Sequence, residues 1–233
     1  MPRRALAPGR TLALALALAL AAGSRAVAAD EHLAYRWRLQ GFVGLLASLF
    51  MPTGGEGSLS LVRLPSGNLE SELLITSPQS DDGEYFRYGA ELDALGDATL
   101  RAWSSYRWRG ESKSRESKLE TGDVMSIASA IYRLRQAPPD KPSPLEIWSD
   151  GKTYPVLVVP IGREELKIAG RKVTARHLAI RGVERPGRRF WKGSLELWLG
   201  EDPAATPVQI QVERSAARVR LELVTLPTLR ALP

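Results

Sequence analysis

Apolar and polar residues alternate with a period of two along most of this chain. Leu33, Tyr35, Trp37 and Leu39 share one parity, with Ala34, Arg36, Arg38 and Gln40 on the other. Towards the end, Leu195, Leu197 and Leu199 line up. Val208, Ile210 and Val212 then alternate with Gln209, Gln211 and Glu213, and Val219, Leu221 and Leu223 with Arg218, Arg220 and Glu222. Period two puts one parity on one face of a strand, so these segments predict sheet with a single buried face. Further strands are expected at Gly57–Leu64, Leu69–Thr76, Glu84–Leu92, Thr99–Trp108, Leu145–Ser149, Thr153–Pro160, Glu164–Ile168 and Lys172–Arg181. Turn residues separate them. Pro65-Ser66-Gly67-Asn68, Asp81-Asp82-Gly83, Ala169-Gly170 and Arg185-Pro186-Gly187 are examples, and Asp150-Gly151 is the clearest hairpin signal.

One segment changes period. Val124, Ile127, Ala128, Ile131 and Leu134 fall on one face of a helix over Asp123–Arg135. Asp123 is the expected N-cap, and Pro138 and Pro139 end the helix. Gln136–Pro144, with four prolines, reads as a stiff exposed loop. No strand–long-helix–strand alternation is present, so a parallel α/β sheet is not expected. The expectation is a mainly β, α+β fold: a curled antiparallel sheet or half-open barrel of about ten strands with one packed helix.

Residues 1–29 have the layout of a secretory signal peptide: Arg3, Arg4 and Arg10, an apolar run Leu12–Ala22, then Ala26-Val27-Ala28-Ala29. Cleavage is expected after Ala29, or else after Ala28. The apolar run is too short for a bilayer core, and no later window reaches transmembrane length. Residues 30–224 then form one β-rich domain and 225–233 a tail. The label also distorts the charge. The formal net charge of the whole chain is +6. Removing four arginines leaves 28 basic against 26 acidic residues. That near balance removes the main support for nucleic-acid binding. With no cysteine, disulfides, thiolate ligands and a lipid-modified N-terminus are excluded. A periplasmic protein, not a lipoprotein, is expected.

Candidate chemistry is sparse. No metal or cofactor site is expected from two histidines and no fingerprint loop, and no catalytic constellation is legible. His177 shares the parity of Ala175 and Ala179 and is expected to pack. An acid–base role for it would need a polar cleft that also holds two carboxylates. Two aromatic-basic clusters stand out. Tyr106-Arg107-Trp108-Arg109 puts aromatics on one strand face and arginines on the other. Arg185, Arg188, Arg189, Phe190, Trp191 and Lys192 form a turn suited to an anionic head group or a protein partner. Glu111–Lys118 is polar throughout and reads as a solvated hairpin arm.

Three segments together resemble the exported bacterial family called domain of unknown function 3108. They are YRWRLQG at Tyr35–Gly41, GDVMSIASAIYRLR at Gly122–Arg135 and WLGEDPAATPVQIQV at Trp198–Val212, supported by the central stretch Gly151–Gly170. The helix matches at Asp123, Ser126, Tyr132 and Arg135, and the last segment at Asp202 and Pro207. The resemblance implies export and a β-rich fold, with no established activity. In layout the chain is also similar to periplasmic lipoprotein carriers, a fold-level analogy. It departs from the family at the connection Gly41–Gly57, which is longer here. There Phe42, Leu45, Leu46, Leu49 and Phe50 fall on one face of a short apolar helix over 42–51, either core filler, a lid or a membrane contact. Gly54, Gly55 and Gly57 would be its hinge. With Tyr35 and Trp37, these residues are the expected apolar-ligand site. The expected function is non-enzymatic binding or carriage of a lipid or acylated envelope molecule. The alternative is an envelope assembly protein that binds a protein partner through exposed aromatic-basic loops.

Overall fold

The computed structural model describes residues 30–40, 53–77, 83–108, 110–119, 123–214 and 217–227. The signal segment and the apolar stretch 42–51 lie outside these residues. Thirteen strands form one sheet: β1 (Glu31–Gln40), β2 (Gly54–Arg63), β3 (Leu69–Thr76), β4 (Tyr85–Leu92), β5 (Thr99–Trp108), β6 (Glu111–Lys118), β7 (Val124–Met125), β8 (Ser143–Ser149), β9 (Lys152–Ile168), β10 (Arg171–Gly182), β11 (Ser194–Gly200), β12 (Pro207–Arg214) and β13 (Ala217–Leu223). Their spatial order is β6-β5-β4-β3-β2-β1-β13-β12-β11-β10-β9-β8-β7. Neighbours are antiparallel, except that β7 runs parallel to β8. Among the described residues one helix, α1 (Ile127–Gln136), is present and follows β7.

The sheet curls so far that its ends overlap. Ile147 of β8 points into the main core, so Trp148 points outward. Trp148 and Val124 nevertheless pack on Ala102 of β5. The Ser104 hydroxyl of β5 also donates to Asp150 in the β8–β9 turn at 3.2 Å. One end of the sheet therefore covers the other, without edge-to-edge closure. Asp150 and Gly151 take φ of 51° and 79°, the pair of left-handed residues a two-residue hairpin requires.

The interior is lined by Leu33, Tyr35 and Trp37 of β1, Leu73 of β3, Leu178 and Ile180 of β10, Leu195 and Leu197 of β11, Ile210 of β12 and Leu221 of β13. Helix α1 fills one end with Ile127, Ala128, Ile131 and Leu134. Tyr132 packs on Leu61, Leu69 and Leu92. The helix starts later than its periodicity predicts. Ser126, not Asp123, is the N-cap: it accepts from the Ser129 amide while the Ser129 hydroxyl accepts from the Ser126 amide. Asp123 precedes the two-residue strand β7, which takes Val124 out of the helix.

Three other expectations change. Thr153–Pro160 and Glu164–Ile168 are one strand, β9, with Gly162 at φ 153° and a register shift opposite His177–Leu178. The glycines expected to hinge the apolar stretch are strand residues. Gly55 and Gly57 of β2 stand opposite Trp37 and Tyr35, and a Cβ on Gly57 would lie 2.9 Å from Leu221. A side chain at Gly57 would also crowd the Leu74 carbonyl. The polar arm Glu111–Lys118 is a full edge strand and Val124–Met125 a short one, which brings the count to thirteen.

Candidate functional site

Burial is graded along the axis of the curl. At the helix end the lining is sealed. Arg135 is 1% exposed and places its guanidinium fork on Glu31, at 2.5 and 2.9 Å. It also donates to the Ala204 carbonyl. Asp202 holds that turn by accepting from the Ala204 and Thr206 amides and the Thr206 hydroxyl. The Tyr35 hydroxyl donates to the Pro207 carbonyl at 2.7 Å, and burial keeps the phenol protonated, far above its ordinary range. The three segments that carry the family resemblance thus meet here, in a buried polar latch.

At the opposite end the inner face is only half-buried. Leu39, Trp191, Val212 and Val219 lie on one side, packed on the core. Phe86, Tyr106 and Trp108 lie on the other. Phe86 stacks on Tyr106 with centroids 5.9 Å apart and tilts against Trp108 at 5.6 Å. The connections at 41–52, 78–82 and 215–216 all leave from this end. The expected lid residues Phe42, Leu45, Leu46, Leu49 and Phe50 belong to the first of these and lie outside the described residues. A hollow of about 520 Å³ marks its roots, lined by Trp37 and Leu39 together with Arg36, Arg38, Gln40 and Thr53–Glu56. Tyr35 and Trp37 themselves are buried. The Trp37 indole donates to the Thr76 carbonyl at 2.7 Å.

The aromatic-basic tip follows β10. Arg185, Arg189 and Lys192 are exposed, Phe190 is 47% exposed, and Trp191 turns inward onto the core. Arg188 is held by both oxygens of Glu146 at 2.9 and 3.0 Å.

His177 lies on the outer face. Its ring stacks on Trp198, with centroids 4.2 Å apart and planes 15° apart. Its Nδ1 faces Glu164 at 2.6 Å and its Nε2 faces Glu196 at 3.1 Å. The Trp198 indole donates to Glu164 at 2.9 Å. That donation, joined by the ring of His177, holds the Glu164 carboxyl below its ordinary value. The two carboxylates were not legible from sequence, because Glu164 reaches the ring only through the bend at Gly162. Both ring nitrogens are engaged and one ring face is covered, so the cluster acts as a clasp. Among the described residues no group of three or more His, Cys, Asp or Glu side chains is arranged to hold a metal ion.

The clasp holds down the outer half of the β9–β10 hairpin. This half crosses the outward side of β11, β12, β13 and β1. Glu164 sits over Trp198, Gln209 and Gln211 are buried beneath, and Lys167, Ala169 and Gly170 at the tip stand over Arg36, Arg38 and Glu222.

No family model matches the chain, and no curated protein matches it. The likeness to domain of unknown function 3108 therefore rests on its three segments. Among solved structures, the chain is similar to a β-barrel-like protein of domain of unknown function DUF1849 from Brucella abortus. Identity is 11%, coverage is 85% of this chain and 98% of that one, and the TM-score is 0.49. It is similar to the hypothetical lipoprotein YmcC from Escherichia coli at 14% identity, over 96% and 100% of the two chains, with TM-score 0.42. It is also similar to the lipoprotein LppX from Mycobacterium tuberculosis at 13% identity, over 83% and 85%, with TM-score 0.31. None reaches a TM-score of 0.5, so they carry nothing about what this chain binds.

Proposed function

We infer that this is an exported, periplasmic binder of an apolar or lipid-like envelope molecule, acting without catalysis and taking the acyl part of its ligand at the half-buried end of the curled sheet. One observation carries the reading. The lining passes from sealed to half-exposed along the axis, and the exposed end is where the apolar connection Phe42–Met51 joins β1 to β2. Half-exposed Leu39, Phe86 and Trp108 give an acyl chain apolar surface to lie on. Each CH₂ so buried contributes about 0.8 kcal/mol. The signal-like segment 1–29 and the resemblance to an exported family support the compartment.

The test is titration with the uncharged fluorophore N-phenyl-1-naphthylamine. Saturable binding is expected, weakened about tenfold by Trp108→Ala or Phe86→Ala, since loss of a large aromatic contact is worth at least 1.4 kcal/mol. Absence of saturable binding to the wild-type protein would refute the reading. A second reading draws on Phe190, which stands exposed beside Arg185, Arg189 and Lys192. That tip suits an acidic protein partner. Photocrosslinking from position 190 in cells, with recovery of one specific envelope protein, would favour it.

A further inference from the structure

We propose that the cleft between the tip of the β9–β10 hairpin and the outer face of β1 and β13 binds a phosphate-bearing anion. The cleft holds about 370 Å³ and is lined by Arg36, Arg38, Lys167, Glu222 and the turn Ala169-Gly170. Leu223 and Val224 complete its lining.

The charges in it are unbalanced. Arg36 stands opposite Glu222 on one side and Glu56 on the other, so it has acidic neighbours. Arg38 does not. Its cross-strand neighbours are Arg220 and Gly54, and directly opposed like charges destabilise a sheet. Arg220 turns away to the neutral Gln211 oxygen, at 3.2 and 3.4 Å. Among the described residues neither Arg38 nor Lys167 has an ion-pair partner, and Glu222 is the single carboxylate lining the cleft. Arg38 and Lys167 approach from separate elements, and the clasp of Glu164, His177 and Glu196 fixes the arm that carries Lys167. A guanidinium and an ammonium lining one cleft of this size suit a tetrahedral phosphate oxyanion. Arg36 and Arg38 also line the hollow at the mouth. One molecule could therefore place its phosphate here and its acyl chain around the end of β1. The source of the phosphate, but not the anion site itself, rests on the reading of the mouth as an acyl site.

The test is amide NMR of the full chain during titration with inorganic phosphate, dihexanoyl phosphatidic acid and uncharged dihexanoylglycerol. Phosphate is expected to shift the Gly54 and Gly170 amides saturably. Arg38→Gln and Lys167→Gln should each weaken it about tenfold, and Glu222→Gln should tighten it. Lys113→Gln on the solvated β6 removes equal charge and should change nothing. Tighter binding of phosphatidic acid than of phosphate, with shifts spreading to Trp108, identifies a lipid headgroup. Equal binding identifies free phosphate, and the site stands. No saturable shift at Gly54 and Gly170, or unchanged affinity in Arg38→Gln and Lys167→Gln, overturns the proposal. If dihexanoylglycerol still shifts Trp108 in that case, the mouth keeps its reading.

Discussion

Arg135 brings a full charge into the interior and keeps it neutralised by both oxygens of Glu31. A buried pair of this kind adds little against an apolar replacement, but half of one is costly. Arg135→Met alone should lower stability by about 3–5 kcal/mol, read from urea denaturation midpoints, and Arg135→Met with Glu31→Leu should recover most of it. Glu164 gives a pH signature. Its folded carboxyl is held below the ordinary glutamate value of 4.5, first by the Trp198 indole and then by His177. A depressed carboxylate adds stability that is complete above its unfolded value and lost as pH falls through its folded one. Stability should therefore drop as pH falls below 4.5, and Glu164→Gln should flatten that part of the curve. Urea midpoints at about pH 7, 5 and 3.5 would show it. The effect should be modest, since the Glu164 side chain is 41% exposed and solvent screens it.

At the scale of elements, most strands were legible because one parity is buried, which alternation reports directly. Leu69–Thr76 and Thr99–Trp108 have the bounds the pattern predicts. The helix start was not legible. Asp123 and Ser126 are both good caps in isolation, and the choice was made by Glu146 and Ile147, whose strand captures Val124 and Met125 as β7. Such long-range pairing leaves no local trace. Ser126→Ala should therefore cost about 1 kcal/mol, whereas Asp123→Ala should change stability by less than about 0.5 kcal/mol. Thermal melts of both variants decide between the caps. The candidate site was legible only in part. Half-burial of Phe86 and Trp108 at one end, and the convergence of Arg38 and Lys167, follow from the curl and from the bend at Gly162. Neither leaves a periodic signal in sequence.

At the scale of the whole molecule, one edge differs from the centre. β6 is exposed at nearly every side chain and forms one edge. β1 and β13 are central and carry Tyr35, Trp37, Leu221 and Leu223 into the core. Amide exchange should be fast in β6, through local opening, and slowest in β1 and β13. Equal protection of the two regions would contradict this architecture.

The middle of the sheet is knit from its first and last described strands, with Tyr35 against Leu223 and Trp37 against Leu221. The two meanders β1–β6 and β8–β13 can each form from local hairpins, but the seam between them must wait for β13. Until then the greasy faces of both halves stay uncovered. A chain paid out end first through a narrow channel would remain pliable for its entire passage and set only on release. The same delay gives any escorting chaperone its longest opportunity to act.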